Sequence, residues 1–228
     1  MKKQIYIHER LATIGKLAGG IAHEFNNPLD GVIRYTNLCL EHVKDDEVVR
    51  GYLLEIKQGL NRMANIVRNL LACSRSETLK AAPVELSKIL DHTIIGLQTD
   101  ISHKNIQIIK EVSSHIPPIQ DLGLEQILLN LIRNAVDSIK DHGTITITAE
   151  RLGGNVKLAI KDTGCGIPKN KVDQIFEPFF TTKDIDKGCG LGLTIVAEIV
   201  KGYDGKIDVE SEINKGTTFT ITLPIKTS

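Results

Sequence analysis

The 228 residues suffice for one large domain or two small ones. Twenty-eight Lys and Arg balance 28 Asp and Glu, and a net charge of zero gives no electrostatic reason to expect nucleic acid or an anionic membrane as partner. With 41% hydrophobic residues but no Trp and only 4% aromatics, the chain reads as a globular protein with aliphatic cores of Ile, Leu and Val. No apolar run approaches the ~18 residues of a membrane-spanning helix. The segment Met1-Lys2-Lys3-Gln4-Ile5-Tyr6 has neither a signal-peptide apolar stretch nor a cleavage site, so a cytoplasmic location is expected. Cys39, Cys73, Cys165 and Cys189 lack CxxC spacing and read as reduced thiols, and the seven histidines form no HxxxH or HExxH pair that would suggest structural zinc.

Residues from about 5 to 73 contain a single Pro and read as helix. Leu11, Ile14, Ala18, Ile21 and Phe25 alternate spacings of three and four, as does the longer series Val49, Leu53, Ile56, Leu60, Met63, Val67 and Leu70. Between the two seams lies Glu41-His42-Val43-Lys44-Asp45-Asp46-Glu47, where Asp45 or Asp46 can cap the second helix and Glu47 suits its first turn. This predicts a helical hairpin with a short loop. A lone hairpin leaves one side of each seam in water, and pairing two copies into a four-helix bundle would bury it, so a homodimer is expected. The alternative is a hairpin packed on the rest of its own chain.

The polar stretch Ser74-Arg75-Ser76-Glu77-Thr78 suits a linker, and a different regime opens at Pro83. The division expected is a hairpin domain over 1–76 and an α/β domain over 77–228. Helical patterning appears at about 87–102, 121–140, 169–175 and 191–201. Strand-like alternation appears at Ile106–Val112, Thr144–Arg151, Asn155–Lys161, Lys206–Glu210 and Thr217–Leu223. The mixture predicts an α/β sandwich with helices on one face of a mixed sheet.

Two constellations carry chemistry. The first is His23. With Leu11 at heptad position a, His23 falls at f, farthest from the seam and open to solvent. Asn27 lies one turn on, over the same face. Pro28 removes a backbone donor and crowds the Glu24 carbonyl, which costs about 3 kcal/mol inside a helix, so it marks a kink. The string His23-Glu24-Phe25-Asn26-Asn27-Pro28-Leu29, preceded by Leu17-Ala18-Gly19-Gly20-Ile21-Ala22, resembles the phospho-acceptor motif of sensor histidine kinases, in the His-Glu-x-x-Asn-Pro-Leu form of nitrogen-regulation kinases. The opening segment Ile5 to Ala12 looks like the tail of an incoming signalling helix in such proteins.

The resemblance implies that His23 takes a phosphoryl group and passes it to an Asp on the receiver domain of a response regulator. A His of ordinary pKa, ~6.5, is mostly neutral and nucleophilic near pH 7. Glu24 would accept the Nδ1 proton and leave the Nε2 lone pair for attack, although neighbouring helical side chains do not naturally face each other. In the family, the residue at the Asn27 position helps place a water that hydrolyses the phosphorylated partner, which implies a second, phosphatase activity.

The second constellation lies in the C-terminal half. No GxxxxGK[ST] loop occurs, and Gly188-Cys189-Gly190-Leu191-Gly192 follows a polar stretch and not a strand, so a dinucleotide loop is excluded. Four segments point elsewhere. The 121–140 helix carries Asn130, Asn134 and Asp137 on one stripe, opposite Leu124, Leu128, Leu131 and Ala135. Asp162-Thr163-Gly164-Cys165-Gly166-Ile167 follows a strand and lets backbone approach a ligand. Phe176-Glu177-Pro178-Phe179-Phe180 is aromatic in an aromatic-poor chain. The Gly188–Gly192 loop opens a helix whose N-terminal amides can hold phosphate.

In this order and spacing the segments resemble the N, G1, F and G2 boxes of the Bergerat-fold ATP-binding domains of histidine kinases, across most of residues 120–225. The resemblance implies ATP and Mg²⁺ as cofactors. Asn134 would supply a side-chain oxygen to Mg²⁺, and Asn130 would assist near the phosphates. Asp162 would accept a hydrogen bond from the adenine amino group, with Gly164, Gly166 and Ile167 admitting the base. Phe176 and Phe179 would anchor a lid completed by Lys183, Gly188, Gly190, Leu191 and Gly192. Cys189 stands where the family often has a small hydroxyl residue. Related ATPases use a glutamate one turn before the Mg²⁺-binding asparagine to activate water, and here that position is Asn130. The resemblance therefore favours a kinase over a hydrolase, and intact boxes favour it over a non-catalytic dimeric scaffold.

Overall fold

The computed structural model describes residues 28–43, 46–72, 82–182 and 190–225, with backbone alone at 61, 62 and 65–72. The chain divides into two compact units, one built on residues 1–77 with 182–189, the other on 78–181 with 190–228.

In the first unit, helix α1 is described over 28–42. Helix α2 spans Glu47–Ala72. Asp46 supplies the cap foreseen in the loop, its Oδ1 accepting the amides of Val48 at 3.1 Å and Val49 at 3.0 Å. Arg50 reaches across to the Leu40 carbonyl at 3.4 Å. The two seam positions of α2 part company. Leu60 is buried and Leu53 half-buried, whereas Val49, Ile56 and Met63 are 39%, 49% and 48% exposed. The first predicted seam, Leu11 to Phe25, lies outside the described residues, and Val67 and Leu70 fall where only backbone is described.

The second unit opens with β1 (Pro83–Val84), α3 (Leu86–Gly96) and α4 (Gln98–His103). It continues with β2 (Ile106–Val112), β3 (Ile119–Gln120), α5 (Leu124–Ser138), β4 (Gly143–Leu152) and β5 (Asn155–Asp162). A 3₁₀ helix at Lys169–Gln174, α6 (Gly192–Gly202), β6 (Lys206–Glu212) and β7 (Gly216–Pro224) complete it. Five strands form one mixed sheet in the order β2-β4-β5-β7-β6, with only β2 and β4 parallel, while β1 and β3 pair separately.

The sheet alternates with period two. Val156, Leu158 and Ile160 of β5, and Phe219, Ile221 and Leu223 of β7, face one buried core. Onto it α5 lays Leu124, Ile127, Leu128, Leu131, Ile132, Ala135 and Val136, a full apolar stripe. Each fully buried Leu or Ile contributes roughly 1.5–3 kcal/mol relative to an exposed one.

Two helix boundaries differ from the pattern reading. The helix expected at 87–102 breaks at Leu97, whose N–H makes a tight bond to Ile94 O at 3.1 Å just after Gly96, a poor helix former. The helix expected from 121 begins at Leu124. Gly123 adopts φ +110°, and Asp121 Oδ1 accepts the Gly123 and Leu124 amides at 2.9 Å each.

Candidate functional site

The inward alternation of β5 runs Val156, Leu158, Ile160 and then Asp162, which places a carboxylate where the pattern elsewhere puts aliphatics. Asp162 is 4% exposed. Its Oδ1 accepts the Gly164 amide at 2.8 Å and the Ser138 hydroxyl at 2.9 Å. Burial pushes the carboxyl above its ordinary value, and these bonds, with one from the Thr217 backbone, pull it back only in part.

The loop after β5 shows why glycines stand where they do. A Cβ on Gly164 would lie 1.9 Å from Ser138 Oγ, and one on Gly166, whose φ is +70°, would lie 2.1 Å from the Glu212 carbonyl. Ser138 O accepts Cys165 N at 3.1 Å, Cys165 O accepts Asn214 N at 2.9 Å, and Ile167 N donates to Ser211 Oγ at 2.7 Å. The loop is thus clamped between the end of α5 and the β6–β7 turn. Cys165 is exposed.

Asn130 and Asn134 sit half-buried on α5, flanking the apolar stripe. The Asn130 amide is held at both ends, Nδ2 donating to Gly192 O at 3.2 Å and Oδ1 accepting from Gln126 Nε2 at 3.3 Å. It therefore ties the first residue of α6 to α5, and as a neutral amide it offers no base. Leu191 is buried and precedes α6, and its carbonyl accepts Ile195 N at 2.9 Å. Gly190 adopts φ +67°, and a Cβ there would lie 2.5 Å from the Phe179 carbonyl carbon, so only glycine fits beside the aromatic segment.

The aromatic segment divides its three phenylalanines between core and surface. Phe176 and Phe180 pack against the core, while Phe179 is 60% exposed. The reason is backbone: Phe179 takes φ +65°, held by its N–H donating to Gly190 O at 3.0 Å, which turns it away from the face its neighbours share. Phe176 and Phe180 are thus the two aromatic side chains of this segment that pack against the core. Thr194 of α6 donates to Phe176 O at 3.2 Å, joining this segment to the helix.

The contacts form two groups, Asp162, Gly164, Gly166 and Ile167 around Ser138 at the end of α5, and Asn130, Gly190, Leu191 and Gly192 at the start of α6, with α5 carrying a residue of each. His23, Glu24, Asn27, Lys183 and Gly188 lie outside the described residues. Ser138 was missed from sequence. Its signal was spacing, since Asn130, Asn134 and Ser138 recur every four residues along one side of α5.

Chemically, the arrangement offers a buried acceptor for a donor group, glycine-lined backbone for close approach, and the start of a helix for an anion. Among the described residues, no helix is long and apolar enough to cross a membrane.

Comparison with known proteins agrees with this geometry. The family "His Kinase A (phospho-acceptor) domain" matches residues 13–79. The family "Histidine kinase-, DNA gyrase B-, and HSP90-like ATPase" matches residues 119–227. The sensor kinase CckA of Brucella abortus (strain 2308) is 36% identical over 241 residues, covering 98% of this chain and 25% of CckA. The chain thus spans about a quarter of that relative's length. Full-length ShkA in complex with AMPPNP superimposes with a TM-score of 0.78 at 30% identity, covering 93% of this chain and 46% of ShkA. The histidine kinase ThkA in complex with the response regulator protein TrrA gives a TM-score of 0.67 at 26% identity, covering 99% of this chain and 66% of that one.

Proposed function

The chain belongs to the sensor histidine kinases, and from that premise we propose that it transfers the γ-phosphoryl group of ATP to its own His23 and then to an Asp of a response-regulator receiver domain. The observation that carries the nucleotide half is the buried Asp162 above glycines that leave no room for side chains. A carboxylate fixed there accepts a hydrogen bond from the amino group of adenine, while Gly164, Gly166 and Ile167 let the base approach. The AMPPNP bound in the related ShkA structure supports ATP as the nucleotide. The ThkA–TrrA complex supports a response regulator as the partner.

At the other end of the site, the Asn130 tie to Gly192 fixes the start of α6, whose amides face an anion favourably. The lid segment with Lys183, Gly188, Gly190 and Leu191 closes over the phosphates, anchored through Phe176 and Phe180. The donor set fits a magnesium ion that arrives with the triphosphate. Asn134 offers one hard amide oxygen on α5, and Mg²⁺ commonly takes one or two protein oxygens besides phosphate and water. Bound there, the ion would neutralise phosphate charge. Asn130 cannot activate water, so the γ-phosphoryl group awaits a stronger nucleophile.

That nucleophile is His23. Its Nε2 lone pair forms the bond to the γ-phosphorus as the bond to the β,γ-bridging oxygen breaks and ADP leaves with the electron pair. Glu24 takes the Nδ1 proton. Asn27 then serves a water that hydrolyses the phosphorylated regulator. We assign the hairpin to 1–76 and the ATP domain to 77–228, and place the chain in the cytoplasm as a homodimer.

The test is incubation with γ-labelled ATP and Mg²⁺. Acid-labile label on the wild type, absent from His23→Gln, is expected. Asn134→Asp should remain folded and lose label. Label persisting in His23→Gln, or none on the wild type, overturns the reading.

A further inference from the structure

Resting on the ATP reading above, the geometry points to Ser138 as a positioning residue that holds the Asp162 carboxylate for adenine and so sets the preference for adenine over a 6-oxopurine. Ser138 grips the loop after β5 at three points. Its Oγ donates to Asp162 Oδ1 at 2.9 Å, and its carbonyl accepts the Cys165 amide at 3.1 Å. Its side chain also fills the space a Cβ on Gly164 would need, 1.9 Å from Oγ and 2.6 Å from Cβ.

The hydroxyl has one proton and two acceptors, since Ala135 O lies 2.8 Å away. An ionised carboxylate is the stronger acceptor of the two, so the proton goes to Asp162. The Gly164 amide bonds the same oxygen at 2.8 Å, which commits Oδ1 to the protein and fixes the plane of the carboxylate. Ser138 itself does not drift. It ends α5, and the ammonium of Lys104 donates to Val136 O at 2.7 Å and Ile139 O at 2.9 Å on either side of it.

A fixed carboxylate discriminates between bases by hydrogen-bond polarity. The 6-amino group of adenine donates to it, whereas the 6-oxo group of inosine presents a second acceptor and leaves both groups unpaired. A carboxylate free to rotate loses part of that contrast. None of this places Ser138 against the nucleotide, so it acts through Asp162.

The test uses the full chain carrying His23→Gln, so that no phosphoryl group moves, and measures equilibrium binding of ATP and ITP with Mg²⁺ by calorimetry. The parent chain should favour ATP. Ser138→Ala should weaken ATP by about three- to tenfold, the order of one ordinary hydrogen bond because the loss reaches the ligand only through Asp162, and leave ITP nearly unchanged. Ser138→Cys, of similar shape but a feebler donor, should fall between. In an Asp162→Asn background, Ser138→Ala should add no further loss of discrimination. Equal losses for ATP and ITP, no loss, or the same change in the Asp162→Asn background would each overturn the role. A parent chain that binds no ATP overturns the nucleotide reading itself, and this inference with it.

Discussion

Asp162 carries a charge that works against the fold, and in the function proposed above it would serve the ligand. Burial, the largest influence, raises its carboxyl above the ordinary 3.8, with the bonds from Gly164, Ser138 and Thr217 opposing. Between 3.8 and that raised value the folded chain binds more protons than the unfolded one. The contribution of this group to stability therefore falls as pH rises through the window and is relieved on acidification. Nucleotide binding has the opposite sign, because Ser138 and Gly164 occupy Oδ1 and a proton on the other oxygen would remove the acceptor left for adenine. ATP affinity should thus decline as pH falls through the raised value, and Asp162→Asn should remove that limb. Subtracting the Asp162→Asn profile from the wild-type profile cancels the titration of ATP itself. Parallel profiles would show that Asp162 does not face the base. The place of Asp162 was legible because glycines two and four residues on mark a strand end where backbone packs closely, whereas its role beside adenine came from the family resemblance alone. Ser138 was not, since a serine ending a helix is unremarkable until Gly164 is seen pressed against it. Phe179 and Phe180 could not be told apart either, because the positive φ that turns one outward leaves no trace in composition.

Elements were the most readable level, and α5 shows why. Seven apolar residues at helical spacing specify its face, and its two half-buried asparagines flank that face. The strands of the five-stranded sheet follow equally from alternation. What escaped was decided by single contacts: the start at Leu124 by Asp121, the break at Leu97 by a tight turn, and the two-residue strands β1 and β3 by pairing too short to leave a period. The end of α5 depends on such a contact as well. Lys104 supplies one cation to two part-buried carbonyls there, Val136 in the last turn and Ile139 at the C-cap. Lys104→Met keeps the aliphatic stem and removes the donor. It should cost about 1.5–3 kcal/mol, the scale of hydrogen bonds from a charged group, measured as a lower urea midpoint with unchanged slope. Because Ser138 lies between the two carbonyls, ATP affinity should fall with it. A midpoint equal to wild type would mean that water serves those carbonyls as well.

At the scale of the molecule, the heptad pattern of α2 announced a buried seam but not which surface would bury it. In the single chain the pattern splits. Leu53 and Leu60 are covered, together with Ala64, while Val49, Ile56 and Met63, seven residues apart, remain between 39% and 49% exposed, with Tyr52 beside them at 65%. On α1, Val32 and Tyr35 are open as well, at 47% and 69%. Monomeric proteins seldom leave so continuous an apolar ridge in water. In the homodimer proposed above, a second copy of the same hairpin would present the same ridge, and two such ridges would interleave as the core of a four-helix bundle. A charge at the centre of that ridge separates this arrangement from a hairpin that is complete alone. Ile56→Glu touches a half-exposed side chain, so the single-chain hairpin tolerates it, but in the bundle it buries an unpaired carboxylate near its own symmetry mate. The wild type should sediment at twice the mass of one chain, and Ile56→Glu at the mass of one. The ATP domain lies in the other compact unit, so its ATP affinity should survive the change. A wild type that sediments as a monomer, or an Ile56→Glu chain that remains dimeric, would place the partner of this ridge elsewhere.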